Sequence, residues 1–172
     1  MKKILLGIFM LLCIVSCGSG PDKTVSKFID SVKAEKMKEA AKYAIDDSFE
    51  GNLDVKYNNK IQELLFKTLL KNLEYKIVKT EKQDNETTIV TVEVTNVDVE
   101  KIFLQVFKKM TQETFSGNGS HLMSVDDRFK EELEAKDKPK SKNVTKFVVK
   151  KTANGEKIVL TAENIDILLG KL

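Results

Sequence analysis

The sequence predicts an α+β domain: N-terminal helices packed on one face of a curved antiparallel sheet, with a helical insertion between two hairpins. Three observations carry this expectation. Apolar residues recur at helical spacing up to Leu73, switch to a period of two in TTIVTVEVTNV and again in NVTKFVVKKT, and return to helical spacing between those two runs. Helices and hairpins grouped in this way describe segregated layers rather than alternating βαβ units.

Taken in order, the chain opens with Lys2 and Lys3, an apolar run from Ile4 to Val15, and the small residues Ser16, Gly18, Ser19 and Gly20. This is the layout of a secretory signal. About twelve apolar residues reach roughly 18 Å as a helix, short of a ~30 Å hydrocarbon core, so a removable signal is expected rather than a permanent span. Gly18 to Pro21 reads as a flexible tether. Asp22 or Thr24 is placed to cap a first helix, whose residues Val25, Phe28, Ile29 and Val32 share one face. A second helical stretch carries Met37, Ala40, Ala41 and Tyr43 or Ala44 after a break near Ala34 to Lys36.

Asp46 to Asn59 is polar and turn-rich and reads as a loop. In KIQELLFKTLLKNL a stripe of Ile61, Leu64, Leu65, Thr68 and Leu69 follows a cap at Asn58 or Asn59. YKIVKTEK, the turn residues Gln83 to Asn85, and the alternating Val90, Val92 and Val94 then make a hairpin with one wet face. Asp98 caps the inserted helix, with Val99, Ile102, Phe103, Val106, Phe107 and Met110 as its apolar residues. SGNGS reads as a loop, and Ser124 with Asp127 as a capping-box-like start of a shorter helix with Phe129 and Leu133 inward. KDKPKSK, Lys136 to Lys142, reads as a charged linker with Pro139 as a helix stop. Asn154 and Gly155 mark the last hairpin, their backbones suited to the positive angles of a tight turn. A short helix from Ala162 to Leu169 closes at Gly170.

Composition narrows the function classes. The formal charge of +3 includes Lys2 and Lys3, leaving +1 without them, and Arg128 is the sole arginine. Near-neutrality and the near absence of the bidentate guanidinium fork argue against a nucleic-acid partner.

Ile14, Val15, Ser16 and Cys17 resemble the lipobox of bacterial lipoproteins. The resemblance implies a diacylglycerol on the Cys17 sulfur and cleavage between Ser16 and Cys17. The thiol is required there because sulfur is the nucleophile that accepts the lipid. Cys13 does not fit, because the bulky Leu12 precedes it. Residues 1–16 are then the signal, 17–22 the lipidated cysteine and tether, and 23–172 a single domain. No second cysteine survives processing, so disulfides and cysteine metal sites are not expected. The membrane, reached through lipid on Cys17, is the first partner. Gly18 after Cys17 is not the aspartate that retains many lipoproteins at an inner membrane. The cell membrane or an outer membrane is the expected site, the outer one where the cell has it.

The order of elements from FIDSVKAEKMKEAAKYA to NGEKIVLTAENIDILLG is similar to small bacterial lipoproteins of unknown function with a nuclear transport factor 2-like, or cystatin-like, fold. That resemblance implies a conical cavity between sheet and helices, used in different relatives for ligands, dimerisation or catalysis. Fold alone does not choose among them.

The chemistry-bearing residues offer no catalytic constellation, no cofactor motif and no metal site. His121 is the one histidine, in a glycine-rich loop. Asp46 with Asp47 and Asp126 with Asp127 are adjacent in sequence, and neighbours on a helix point about 100° apart, so neither pair converges on a substrate. Asn96, Asp98 and Glu100 lack the glycine and closing glutamate of a calcium loop. The lysines at Lys136, Lys138, Lys140 and Lys142 are the one charge cluster suited to an anionic surface. The favoured reading is a non-catalytic envelope lipoprotein that binds a small ligand or an envelope protein. The alternatives are an assembly protein acting as a homodimer across its sheet, and an enzyme using the cavity with His121 or a buried aspartate as base.

Overall fold

The computed structural model describes residues 20–45, 57–116 and 123–171, and Ser16, Cys17, Asp46, Asp47 and His121 lie outside them. In chain order the elements are α1 (Pro21–Lys33), α2 (Met37–Ala41), α3 (Lys60–Asn72), β1 (Glu74–Lys82), β2 (Thr87–Val97), α4 (Val99–Phe115), α5 (Val125–Glu134), β3 (Lys140–Thr152), β4 (Gly155–Val159) and α6 (Ala162–Leu168). The four strands form one antiparallel sheet in sequential order β1-β2-β3-β4. Helices cover one face, as the sequence predicts.

The period-two pattern sets the register. Val90 pairs with Phe147 and Val92 with Thr145, which puts Val90, Val92, Val94, Phe147 and Val149 on the covered face, all buried. Val25, Phe28, Ile29 and Val32 of α1, Leu70 and Leu73, and Ile167 and Leu168 of α6 pack against them. The rings of Phe28 and Phe147 meet edge to face with centroids 6.3 Å apart. Each such side chain contributes about 1.5–3 kcal/mol on burial. Here, where the resemblance implies an open cone, fully buried Phe28, Ile29, Leu73, Val90 and Phe147 fill the space between α1 and the sheet.

Several local expectations are corrected. Neither Asp22 nor Thr24 caps α1: Gly20 is the N-cap without a side-chain bond, and Pro21 begins the helix. Proline suits that position because its fixed φ is helical and its missing N–H has no intrahelical partner there. The break after α1 falls within the expected Ala34 to Lys36, at Glu35, whose φ is +59°. The residues after α2 leave the helix and flank β4. Ile158 N–H donates to Tyr43 O at 2.7 Å and Ile45 N–H to Ile158 O at 2.9 Å, covering part of the exposed sheet edge.

KDKPKSK is not a linker. β3 starts at Lys140, directly after Pro139, because Val97 pairs with Lys140 and Asp98 N–H donates to Pro139 O at 2.9 Å. Only Gly155 of the Asn-Gly pair has a positive φ, +94°. Thr152 and Gly155 pair across Ala153 and Asn154. Glycine in the left-handed region at that position is the mark of a glycine-bulge hairpin, not of a turn with two positive angles. In α4, Phe103 and Phe107 are 57% and 72% exposed, so the inserted helix buries only Val99, Ile102 and Val106.

The C-terminal helix is held by buried amides. Thr161 and Asn164 form a capping box, and Asn164 Nδ2 also donates to Thr145 Oγ1 at 2.8 Å and to Lys146 O at 3.1 Å. Asn96 Nδ2 donates to Leu168 O at 2.8 Å. Gly170 follows with φ +77°, so close to β2 that a Cβ there would lie 2.6 Å from Val97 O. At Gly155 the same atom would meet only open space. Gly170→Ala therefore combines a conformational cost with a backbone clash, and we expect a loss of about 2–4 kcal/mol in urea unfolding, against about 1 kcal/mol for Gly155→Ala.

Candidate functional site

A second cluster of apolar residues lies at the end of the sheet where β2 ends and β3 begins. It joins Leu69 of α3, Val97 of β2, Val99, Ile102 and Val106 of α4, and Phe129 and Leu133 of α5, with Ile61, Leu64, Leu65 and Met110 half-buried around it. Each helix is started by a side-chain cap. Asn59 Oδ1 accepts from Gln62 N–H at 2.8 Å while Gln62 Oε1 accepts from Asn58 N–H at 2.7 Å. Asp98 accepts from Lys101 N–H at 3.0 Å. Ser124 Oγ accepts from Asp127 N–H at 3.1 Å and donates to Asp127 Oδ2 at 2.6 Å. These bonds satisfy N–H groups that the first turns leave without partners.

α4 and α5 are locked by charge as well as by packing. Arg128, 8% exposed, donates to Glu131 Oε2 at 2.6 Å and pairs with Glu113 across the helices, and Lys109 pairs with Glu132. Arg128 Nε has no hydrogen-bond partner among the described residues. The network therefore fixes geometry more than it adds stability, since a buried guanidinium is costly to desolvate.

Between these three helices opens a groove of about 390 Å³, lined by Asn58, Asn59, Ile61, Gln62, Leu65, Phe103, Val125, Asp126 and Phe129. Its floor is apolar, with Phe103 tilted against Phe129 at a centroid distance of 4.7 Å. Of its polar side chains, Asn59 and Gln62 are already engaged in capping α3 and Asp126 belongs to the first turn of α5. An apolar floor with a few polar groups at its edge suits a hydrophobic ligand or an apolar segment of a partner. A second, smaller groove of about 270 Å³ lies beside α1 and α2, lined by Lys27, Asp30, Ser31, Ala34, Lys36, Glu39 and Tyr43. Next to it Tyr75 donates to Asp30 Oδ1 at 3.0 Å. Burial raises the Tyr75 phenol above its ordinary value, and the Asp30 carboxylate pushes in the same direction.

The predicted site residues scatter. The lysine cluster divides: Lys136 and Lys138 stand in the turn before β3, whereas Lys140 and Lys142 are strand residues paired with Glu74 at 2.8 Å and Glu93 at 3.0 Å. Two-residue spacing places Lys140, Lys142, Lys146 and Lys150 on the sheet face opposite Phe147 and Val149. Asn96 and Asp98 serve the fold, as a buried amide and a helix cap, and Asp127 reciprocates the Ser124 cap. Among the described residues, no group of three His, Cys, Asp or Glu side chains is placed to hold a metal ion. Sequence reasoning missed the groove, because Ile61 and Leu65 read as core. The available signal was the width of the apolar arc on α4, where Phe103, Leu104 and Phe107 exceed what one core contact covers.

No protein-family model matches the chain, and no curated protein matches it. Among solved structures it is similar to ycdA of Bacillus subtilis, described as a lipoprotein candidate, with 15% sequence identity and a TM-score of 0.40 over 87% of this chain. The match covers 47% of that protein, so the chain spans about half its length.

Two outcomes test the site's supports. Arg128→Ala removes the shared cation from Glu113 and Glu131, which are themselves partly solvated, and we expect a loss of about 1–3 kcal/mol in denaturant unfolding. For Asp98, partial burial raises the carboxyl pKa, but the hydrogen bonds and charge of Lys101 outweigh burial and hold it below the ordinary aspartate value. Its folded pKa is depressed, so its stabilisation is present above the unfolded value of about 3.9 and is lost as pH falls through the folded value. Asp98→Asn, which keeps the cap, should flatten that part of the acid limb in thermal unfolding between about pH 5 and 2.

Proposed function

We propose that this chain is an envelope lipoprotein, held at a membrane by lipid on Cys17, whose domain is a non-catalytic binding module using the groove between α3, α4 and α5. The anchor rests on IVSC standing at the end of a charged and apolar leader. Two acyl chains on one cysteine give stable attachment, whereas one is marginal. The binding role rests on the groove itself: an apolar floor of Ile61, Leu65, Phe103 and Phe129 left open to solvent.

The placement of the groove supports this division of labour. Cys17 precedes Pro21 by four residues, at most about 14 Å of extended chain, so the start of α1 would lie close to the lipid surface. Thr24 on that first turn is 3.4 Å from Glu156 at the start of β4, near the turn joining β3 and β4. The groove lies beyond the opposite end of the sheet, past Val97, and β2 alone spans roughly 35 Å at strand rise. A tethered domain would then hold the groove away from the bilayer, where a soluble ligand or an envelope protein reaches it.

The nuclear transport factor 2-like or cystatin-like assignment belongs to this reading as well, supported by the meander with helices on one face. With the space between α1 and the sheet filled, ligand binding in this chain would use the groove instead of a central cone.

The test pairs two variants. Cys17→Ala should abolish labelling by a radioactive or alkyne fatty acid and release the protein from the membrane fraction. Unchanged labelling would sink the anchor. Val125→Lys, at an exposed groove position, should leave the unfolding midpoint unchanged. It should also cut the fluorescence enhancement of an apolar naphthalene probe by about tenfold, the scale of one buried contact of ~1.4 kcal/mol. Equal enhancement in both proteins would remove the groove as a binding site.

A further inference from the structure

α4 carries more apolar surface than the domain uses. Its inward side is spent on the second cluster, yet the adjoining side presents Phe103, Leu104 and Phe107 at 57%, 60% and 72% exposure. The hydroxyl that continues this side is turned back on the helix, since Thr111 Oγ1 donates to Phe107 O at 2.8 Å. Its one donor is therefore already satisfied within the helix. Phe103 and Phe107 alone leave roughly 200–300 Å² of ring surface in solvent. That is about half the nonpolar area one partner brings to a standard interface.

The charges on this face select the occupant. Glu100, Leu104 and Lys108 follow at four-residue spacing, so they lie in one row with Leu104 at its centre. Glu100 and Lys108 are exposed and have no ion-pair partner among the described residues, although Lys101, Lys109, Glu113 and Glu131 nearby are all paired. A row reading acid, apolar, base is complementary to itself when reversed. Two antiparallel copies crossing at Leu104 place Glu100 of each against Lys108 of the other, which is the self-matching that a twofold interface requires.

We infer that α4 is a homodimer interface, in which two copies of this chain pack antiparallel along Phe103, Leu104 and Phe107 with Leu104 on the twofold axis. A bilayer suits the face less well, because α4 leaves the sheet at Val97, the end opposite the β3–β4 turn beside α1. The dimer goes beyond the proposed binding role, shares Phe103 with the edge of the groove, and does not depend on lipidation. It also differs from dimerisation across the sheet.

A residue on a twofold axis faces its own copy, so single-cysteine cross-linking tests the geometry in the intact chain. Leu104→Cys, at an exposed position, should give a disulfide-linked dimer on mild oxidation, at several times the background set by the unsubstituted chain with Cys13 and Cys17. Gln112→Cys, exposed two turns away, should stay at background. In the Leu104→Cys chain, Glu100→Lys should lower the dimer band severalfold. Adding Lys108→Glu to it should restore the band, because the reversed row is again complementary to itself. A Leu104→Cys band no stronger than that of Gln112→Cys, a cross-link to a different protein in place of the dimer, or failure of the double reversal to rescue would each overturn the inference.

Discussion

The structure depends on the pairing of β2 with β3. Eleven residues of β2 are in continuous antiparallel register with β3, from Thr87 with Lys150 to Val97 with Lys140. Adjacent antiparallel strands are usually joined by a short turn. Here residues 98–139 intervene, and the register obliges them to leave and return at one end of the sheet, where Asp98 N–H bonds to Pro139 O. An excursion of that length stays ordered only by burying apolar surface somewhere. α4 and α5 do so against α3, and a second core results.

Two cores with different occupants divide the domain. The first is closed by large side chains from α1, α6 and the valines of β2, with Phe28 and Phe147 at its centre. The second is built from three helices joined at one end and held by Arg128, Glu113, Lys109 and Glu132. A three-helix corner whose apolar cluster meets the sheet only at Val97 does not close over all its apolar residues. The groove and the exposed side of α4 are both consequences of that geometry, and both lie past Val97, toward the end of the sheet opposite the start of α1.

Buried polar groups mark where the two halves meet. Asn96, 1% exposed, donates to Leu168 O at the end of α6, and Asn164, equally buried, ties the first turn of α6 to β3. Such amides stabilise only when every bond is made, so they specify the docking of α6 more than they strengthen it. Gly170 is demanded by the same contact, because α6 ends against the backbone of Val97.

The sequence by itself determined the element types and most helix starts, since these rest on local rules: period, capping side chains and turn residues. Asn59, Asp98, Ser124 and Thr161 all begin helices for reasons readable within four residues. The IVSC stretch is equally local, and the proposed anchor rests on it alone. Tertiary structure decided which apolar residues are core. Ile61, Leu65, Phe103 and Phe107 obey the same spacing as Leu69 and Ile102, and only the packing of α3, α4 and α5 distinguishes them. It also divided KDKPKSK, turning Lys140 and Lys142 from linker into strand. The reason is that strand register and helix packing are satisfied between distant segments, and no local pattern records which neighbour arrives.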